Sequence, residues 1–230
     1  MRGDQTMKIN DILTKAQNEL GVSEYPANSN NVKYNTWFYG HLVQGKDYPW
    51  CAVFISYLFK DEPTLLKKTA SCVNMLEWCE AHNLIVKDPQ PGDIVFFKYA
   101  TNRRRTNHVG LVVDVQNTNN FTTIEGNTST TSNDNGGRVM ERKRARKNVV
   151  GFARPRYSDL KDYKPTLRKG SKGESVELLQ SLLNLKIDAN LIVDSDFGPA
   201  TKEAVINFQM SHGLKADGIV GPKTWEKLLK

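Results

Sequence analysis

The hydrophobic pattern of this 230-residue chain changes from strand-like in the middle of the sequence to helix-like after residue 165. The strand-like part consists of short segments that are rich in β-branched and aromatic residues and that partly alternate between apolar and polar positions. These segments are Asp93–Lys98, His108–Val115, Phe121–Glu125, Arg138–Arg142 and Val149–Ala153. Because turn residues separate them, they predict an antiparallel meander.

Three segments with helical patterns precede the strands, at residues 8–20, 50–60 and 71–82, so the first part of the chain predicts an α+β domain. The polar stretch Ser158–Pro165 ends in proline, which suits a linker. The expected organisation is a domain at residues 1–157, a linker at residues 158–165 and a second domain at residues 166–230.

Apolar residues at three- and four-residue spacing predict a small helical bundle in the second domain. The expected helices are Ser175–Leu183, Ala200–Met210 and Thr224–Leu229. Gly198-Pro199 and Gly221-Pro222 each place proline where a helix begins. These two turns belong to a weak repeat, in which residues 194–201 align with residues 217–224.

Positive charge is concentrated in the first domain. Residues 1–157 hold 21 Lys and Arg against 15 Asp and Glu, a net charge of +6, whereas residues 158–230 hold 11 against 10. The runs Arg103–Arg105 and Arg142–Lys147 produce most of this bias. Such a surface favours a polyanion, which could be a nucleic acid, a teichoic acid or an anionic lipid, or it is a solvated rim. Nucleic acid is not expected, because interleaved aromatic residues and any recognised motif are absent.

No apolar run is long enough to span a bilayer, and the N-terminal sequence lacks the apolar block of a signal peptide. We therefore expect synthesis in the cytoplasm without a signal peptide. Three cysteines are too few and too sparse for a disulfide framework, and no Cys-x-x-Cys zinc pattern occurs.

Cys51 opens an apolar segment, residues 52–59, that predicts a buried helix. Pro49 marks the helix start, so Cys51 is expected in the first turn, where the helix dipole lowers the pKa of a thiol. Cys51 is therefore a candidate nucleophile, although a lone cysteine is more often a small buried packing residue. Cys72 and Cys79, seven residues apart on one predicted helix face, are interpreted as packing residues.

His108 is the candidate base, because it begins a strand and points away from the apolar face of that strand. Glu125 and Asn127 share one face of the next strand. In a hairpin with an even loop, even-numbered residues of the first strand lie on the same face as odd-numbered residues of the second. The three side chains would then lie on the same face of the hairpin. A bulge or an odd loop would instead place His108 on the face opposite Glu125 and Asn127.

A thiol at a helix start, with a histidine oriented by a carboxylate or an amide, is the arrangement of papain-like acyl transfer. Four blocks resemble the CHAP family of cysteine, histidine-dependent amidohydrolases/peptidases, across roughly residues 10–157. The blocks are Pro49–Ala52, Pro91–Phe97, Asn107–Leu111 and Ile124–Asn127, in the family's order and spacing.

This resemblance implies a papain-like α+β fold with helices packed on an antiparallel sheet. It makes Cys51 the nucleophile and His108 the general base and acid. It makes Glu125 the group that orients His108, and Asn127 a supporting polar group near the same histidine. No cofactor is implied. Some family members carry an acidic calcium loop ahead of the cysteine, but Asp47 is the only acid between residues 31 and 47, so we do not expect a metal.

Residues 166–230 resemble the three-helix peptidoglycan-binding domain of wall hydrolases. The resemblance rests on Leu167-x-x-Gly170-x-x-Gly173, Val176–Gln180, Asp196–Thr201, Ala204-Val-x-x-Phe208-Gln209, Gly213-Leu-x-x-Asp-Gly218 and Val220-Gly-Pro-x-Thr-Trp225. Family members often have a glycine just after the first helix, and Lys186–Asp188 has none. Phe208 and Trp225 are expected to pack in the core rather than to stack on carbohydrate, because both lie at helical core spacing.

Together, the two resemblances imply a peptidoglycan hydrolase with a wall-anchoring module, whose partners are bacterial peptidoglycan and, further, anionic wall polymers. A chain of this kind without a signal peptide resembles a phage endolysin. The alternatives are a bacterial or prophage-encoded autolysin, and a catalytically inactive wall-binding protein, against which the complete catalytic set argues. The cleaved bond is either the N-acetylmuramoyl–L-alanine amide or a peptide bond of the stem or cross-bridge.

Overall fold

The computed structural model describes residues 7–99, 105–117, 119–133, 135–159 and 164–230. The chain divides into two compact units. The first consists of Met1–Val113 with Thr122–Lys161, and the second of Asp114–Phe121 with Asp162–Lys230.

Among the described residues of the first unit, four α-helices precede the main strands of the sheet. They are α1 (Ile9–Asn18), α2 (Lys33–Tyr39), α3 (Cys51–Leu58) and α4 (Cys72–Ala81). The sequence pattern predicted α1, α3 and α4, but it missed α2. The sequence of α2, Lys-Tyr-Asn-Thr-Trp-Phe-Tyr, is dominated by aromatic and polar residues of modest helix propensity, so packing rather than propensity holds it. Tyr34 supplies that packing, because its buried ring lies edge-on against Phe54 of α3 with the ring centroids 5.1 Å apart.

In the part of the chain that the structure describes, six strands form one sheet in the order β1-β6-β2-β3-β4-β5. They are β1 (Ile85–Val86), β2 (Ile94–Phe97), β3 (His108–Asn117), β4 (Asn120–Thr128), β5 (Arg138–Ala145) and β6 (Val149–Ala153). Strands β2 to β5 follow the predicted meander, but β6 does not continue it. A short 3₁₀ turn at Arg146–Asn148 follows β5, and β6 then pairs antiparallel with β2 at the other side of the meander. The α+β class predicted from the sequence is confirmed.

The core of the first unit lies between this sheet and helix α3. All residues of α3 except Tyr57 are buried, as the continuous apolar pattern predicted. Phe96, Leu111 and Ile124 contribute fully buried side chains from three neighbouring strands. The start of α3, which carries Cys51, packs closely against β4, since a Cβ atom at Gly126 would lie 2.6 Å from Cβ of Phe54.

The second unit is a bundle of three α-helices among its described residues. These are α5 (Glu174–Ile187), α6 (Pro199–Ser211) and α7 (Pro222–Leu228). Proline occupies the first turn of α6 and of α7, as predicted. Phe208 is fully buried and Trp225 is 2% exposed, so both pack in the core as expected.

The sequence repeat of the second unit is also a repeat of hydrogen bonds. The side-chain amide of Gln180 donates to Thr201 Oγ1 (3.2 Å) at the start of α6, and that of Gln209 donates to Thr224 Oγ1 (3.2 Å) at the start of α7. Each buried glutamine thus ties one turn to the helix that follows it. The glycine missing after α5 is replaced by Asp188, which itself adopts the left-handed conformation with φ 49°.

None of the helices in the described ranges has the long apolar stretch that a membrane-spanning helix needs.

Candidate active site

Cys51 is the first residue of α3 and is 4% exposed. Several groups hold the pKa of its thiol well below the usual value: a hydrogen bond from Cys72 first, then the hydrogen bond and charge of His108, and the backbone N–H of Ala52. Together they outweigh burial, which acts in the opposite direction. The placement in the first turn matches the prediction, and the backbone contribution follows from the unpaired N–H groups at a helix start.

His108 is the first residue of β3 and is fully buried. Its Nε2 lies 2.8 Å from Oε2 of Glu125, which leaves the buried Nδ1 as the ring nitrogen that interacts with the thiol of Cys51. Burial alone would lower the pKa of His108, but the hydrogen bonds and negative charges of Cys51 and Glu125 raise it to about 9. Because Nε2 is engaged, Nδ1 is the nitrogen that remains to exchange a proton with the thiol.

Glu125 lies on β4 and is fully buried, with both carboxylate oxygens occupied. Oε1 accepts hydrogen bonds from Thr123 Oγ1 (2.5 Å) and Arg144 Nε (2.7 Å). Oε2 accepts from His108 and from a terminal nitrogen of Arg144. Burial would raise the pKa of Glu125, but Arg144 and His108 lower it to about 2, so the carboxylate is charged at every working pH.

A glycine on the neighbouring strand makes room for this carboxylate. A Cβ atom at Gly110 would lie 2.7 Å from Cγ of Glu125, which is closer than real Cβ atoms approach. The glycine in the Asn107–Leu111 block is therefore explained by the close packing of Glu125 over β3.

Arg144 was not singled out as a site residue by the sequence analysis, which assigned it to a basic surface run. The structure places it on β5, with its side chain 8% exposed and its guanidinium carbon 5.3 Å from the centroid of the Tyr99 ring. Arg142, two residues earlier on the same strand, also turns inward and donates a hydrogen bond to Thr128 Oγ1 (3.3 Å). The alternation of side chains along β5 could have indicated that Arg142 and Arg144 share one face of the sheet. It could not have indicated which residue of a neighbouring strand Arg144 contacts. Arg105 pairs with Glu80, and Arg103 and Arg104 lie outside the described residues.

Asn127 does not orient His108. Its side chain is fully buried, but its Oδ1 accepts a hydrogen bond from the backbone N–H of Gly137 (3.1 Å) and its Nδ2 has no partner. Its backbone is left-handed, with φ 57°. Asn127 therefore shapes the end of β4, and within the described residues its side chain makes no hydrogen bond to His108, the histidine that it was expected to support.

The sequence analysis interpreted Cys72 as a packing residue, and this interpretation is wrong. Its Sγ lies 3.5 Å from Sγ of Cys51, at the start of α4. Cys79, by contrast, is fully buried, and burial raises the pKa of its thiol to about 12. The packing interpretation therefore suits Cys79 alone.

An open cleft of about 470 Å³ gives access to Cys51. Its lining includes Tyr39, Asp47, Pro49, Ser71, Cys72 and Thr106. Cys51, although only 4% exposed, is thus among the residues that line this cleft. Among the described residues, no group of three or more His, Cys, Asp or Glu side chains is placed to hold a metal ion.

Two models of known protein families match parts of the chain. The CHAP domain matches residues 43–127, and "Putative peptidoglycan binding domain" matches residues 172–228. Cys51, His108 and Glu125 all lie within the first match. The chain is thus similar to a CHAP domain over residues 43–127 and to a peptidoglycan-binding domain over residues 172–228, in the order that its sequence predicted.

Individual relatives are similar to only part of the chain. It is 49% identical over 65 residues to the zinc D-Ala-D-Ala carboxypeptidase of Streptomyces albus G, which covers 27% of the chain and 26% of that protein. It is 48% identical over 65 residues to "Uncharacterized protein in bpoA1 3'region" of Kitasatospora aureofaciens, covering 28% of the chain and 55% of that protein. The chain thus spans about a quarter and about half of the lengths of these curated relatives.

Among solved structures, the chain is 51% identical to the Burkholderia AP3 phage endolysin, over 27% of this chain and 24% of that one, with a TM-score of 0.26.

Proposed function

We propose that this protein is a peptidoglycan hydrolase in which the first domain cleaves an amide or peptide bond and the second holds the enzyme on the wall. The observation that carries this proposal is the contact between His108 and Glu125 beside the thiol of Cys51, within the segment that matches the CHAP domain. The match to the peptidoglycan-binding domain supports the choice of substrate.

In the proposed reaction, the Cys51 thiolate attacks the substrate carbonyl carbon and forms a tetrahedral oxyanion, beside the backbone N–H groups at the start of α3. The protonated Nδ1 of His108 then gives its proton to the leaving amine, the C–N bond breaks, and a thioester remains. Neutral His108 next takes a proton from water as that water attacks the thioester. Collapse of the second oxyanion releases the carboxylic acid and restores the thiolate and the imidazolium.

Glu125 acts in this scheme through His108. Because it stays ionised, it stabilises the imidazolium form and keeps Nδ1 turned toward the thiol. Arg144 and Thr123 in turn hold the carboxylate, so they are positioning residues with no direct contact to the substrate.

The second domain offers a groove of about 880 Å³ between the end of α5, the following loop and α6. Its lining combines apolar side chains such as Ile192, which is 81% exposed, with the polar groups of Asp194 and Asn207. A mixed apolar and polar groove suits a glycan strand with peptide stems. We propose it as the surface that anchors the chain to peptidoglycan.

The setting we propose is lysis of a bacterium by a phage endolysin that is made in the cytoplasm, and an autolysin would use the same chemistry. The bond cleaved is decided by mass analysis of fragments released from purified walls. A free L-alanine amino terminus indicates an amidase, and any other new terminus indicates an endopeptidase.

The chemistry is tested by lysis of purified walls with the wild-type chain and with Cys51→Ala. We expect the variant to bind walls and unfold like the wild type but to release no fragments, because the nucleophile is gone. Cys79→Ala is the matched control, and it should keep turnover while losing some thermal stability. Full activity of Cys51→Ala would disprove the thiol mechanism.

A further inference from the structure

The two thiols of the cleft lie at corresponding places in two helices. Cys51 is the first residue of α3 and Cys72 is the first residue of α4. Their sulfur atoms are 3.5 Å apart, and both residues line the same open cleft. A small oxidant that enters this cleft therefore reaches both thiols.

Hydrogen bonds connect the second half of α3 to the residues just before α4. Ser56 of α3 donates its hydroxyl to the carbonyl oxygen of Thr69 (3.0 Å) and accepts from the N–H of the same residue (3.0 Å). Thr69 in turn accepts from the N–H of Ser71, which caps α4 directly before Cys72. This connection holds the start of α4, with Cys72, against α3.

The remaining distance to a covalent bond is short. A disulfide joins its sulfurs at about 2.05 Å, so the two atoms need to approach by about 1.5 Å, which side-chain rotation and small backbone shifts can supply. The reactivity of Cys51 favours the reaction, because a thiolate is the form of cysteine that peroxides oxidise.

We propose that Cys51 and Cys72 form a peroxide-reactive dithiol site, in which Cys72 captures the oxidised nucleophile as a reversible disulfide. The Cys51 thiolate displaces hydroxide from hydrogen peroxide and becomes a sulfenic acid. The Cys72 thiol then attacks the sulfenic sulfur, the S–O bond breaks, and the disulfide and one water are formed. The peroxide is reduced by two electrons, and a dithiol reductant reverses the change.

The same chain contains a matched control. Cys79 is on the same helix as Cys72 but is buried away from the cleft lining, so it should remain a thiol under the same treatment. Without Cys72, oxidation of Cys51 has no nearby thiol to stop it, and it should continue to the sulfinic acid, which dithiols do not reduce.

The test treats the full-length protein with hydrogen peroxide and maps cysteine peptides by mass spectrometry without reduction. We expect a peptide pair linked through Cys51 and Cys72, with the loss of two hydrogens, that dithiothreitol separates. In Cys72→Ser, the Cys51 peptide should instead gain two oxygens permanently, and Cys79→Ala should behave like the wild type. Wall-lysis activity should return with dithiothreitol in the wild type but not in Cys72→Ser.

The mapping reads covalent bonds, so it gives an answer even if the protein does not hydrolyse walls. The proposal is overturned if wild-type Cys51 goes to the sulfinic acid without a linked peptide, or if Cys51 resists peroxide altogether. A link between Cys72 and Cys79 would overturn it as well.

Discussion

Arg144 donates hydrogen bonds to both carboxylate oxygens of Glu125, one from Nε and one from a terminal nitrogen. Glu125 in turn contacts His108, so a residue of β5 helps to set the orientation of a histidine on β3. These contacts cross three neighbouring strands. Because both carboxylate oxygens of Glu125 are hydrogen-bonded, the carboxylate is held in its orientation toward the imidazole of His108.

Arg144→Lys should keep the charge and lose the paired hydrogen bonds, because an ammonium cannot match the fork of a guanidinium. A hydrogen bond to a charged group contributes about 1.5–3 kcal/mol, so we expect kcat/KM to fall roughly ten- to a hundredfold. The measurement is turnover of a soluble wall fragment. Arg142→Lys is the control on the same strand, since Arg142 bonds to Thr128 and shares Asn133 with Arg144 but donates no hydrogen bond to Glu125. Equal losses in both variants would mean that Arg144 acts only through general stability.

His108→Ala and Glu125→Gln should differ in activity. His108→Ala removes the group that carries the proton, whereas Glu125→Gln removes the charge that orients it, so Glu125→Gln should retain more turnover. Glu125→Gln should also lower the free energy of unfolding by about 3–5 kcal/mol, because it leaves the guanidinium of Arg144 without its buried partner. Turnover and thermal unfolding measured side by side separate the two effects. If Glu125→Gln is the less active variant at temperatures where both are folded, our order of roles is wrong.

The pH dependence of the reaction should have a basic limb near pH 9. The attacking form needs Cys51 deprotonated and His108 protonated. The pKa of Cys51 is lowered and that of His108 is raised to about 9, so this pair persists across neutral pH and is lost as pH rises through about 9. The check is kcat/KM on a soluble fragment over a pH range that brackets 9. A basic limb near the ordinary histidine pKa of about 6.5 would contradict the ion pair.

The sequence predicted the parts of this site that depend on local periodicity. The two-residue period of strands placed His108 and Glu125 on one face, and the continuous apolar pattern of α3 put Cys51 in a buried first turn. Both patterns depend only on one helix or on one hairpin, so they can be read from the sequence without knowledge of the rest of the fold.

Contacts between distant segments were not predictable in the same way. Arg144 meets Glu125 only because β5 pairs beside β4, and in the sequence it is one member of a basic run. Cys72 meets Cys51 because Ser56 and Thr69 bring α4 to α3, whereas the seven-residue spacing of Cys72 and Cys79 indicated packing. The pairing of β6 with β2 likewise depends on a turn that reverses the chain across the sheet.

Wall binding should belong to the second domain. This unit has its own buried core, which includes Phe208 and Trp225, so a fragment of residues 158–230 should fold and sediment with purified peptidoglycan. Its charges nearly balance, with 11 basic and 10 acidic residues, so its binding should change little as salt is raised.

The matched comparison is the full-length Cys51→Ala chain, which keeps the basic first domain but does not digest the wall. Any extra binding of this chain over the fragment should fade at high salt, since attraction between basic residues and anionic wall polymers is screened. Tethering by the second domain raises the local concentration of the cleft at an insoluble substrate, so removing that domain should weaken lysis of intact walls more than cleavage of soluble fragments. A fragment of residues 158–230 that folds but stays in the supernatant at both salt concentrations would assign targeting to the first domain instead.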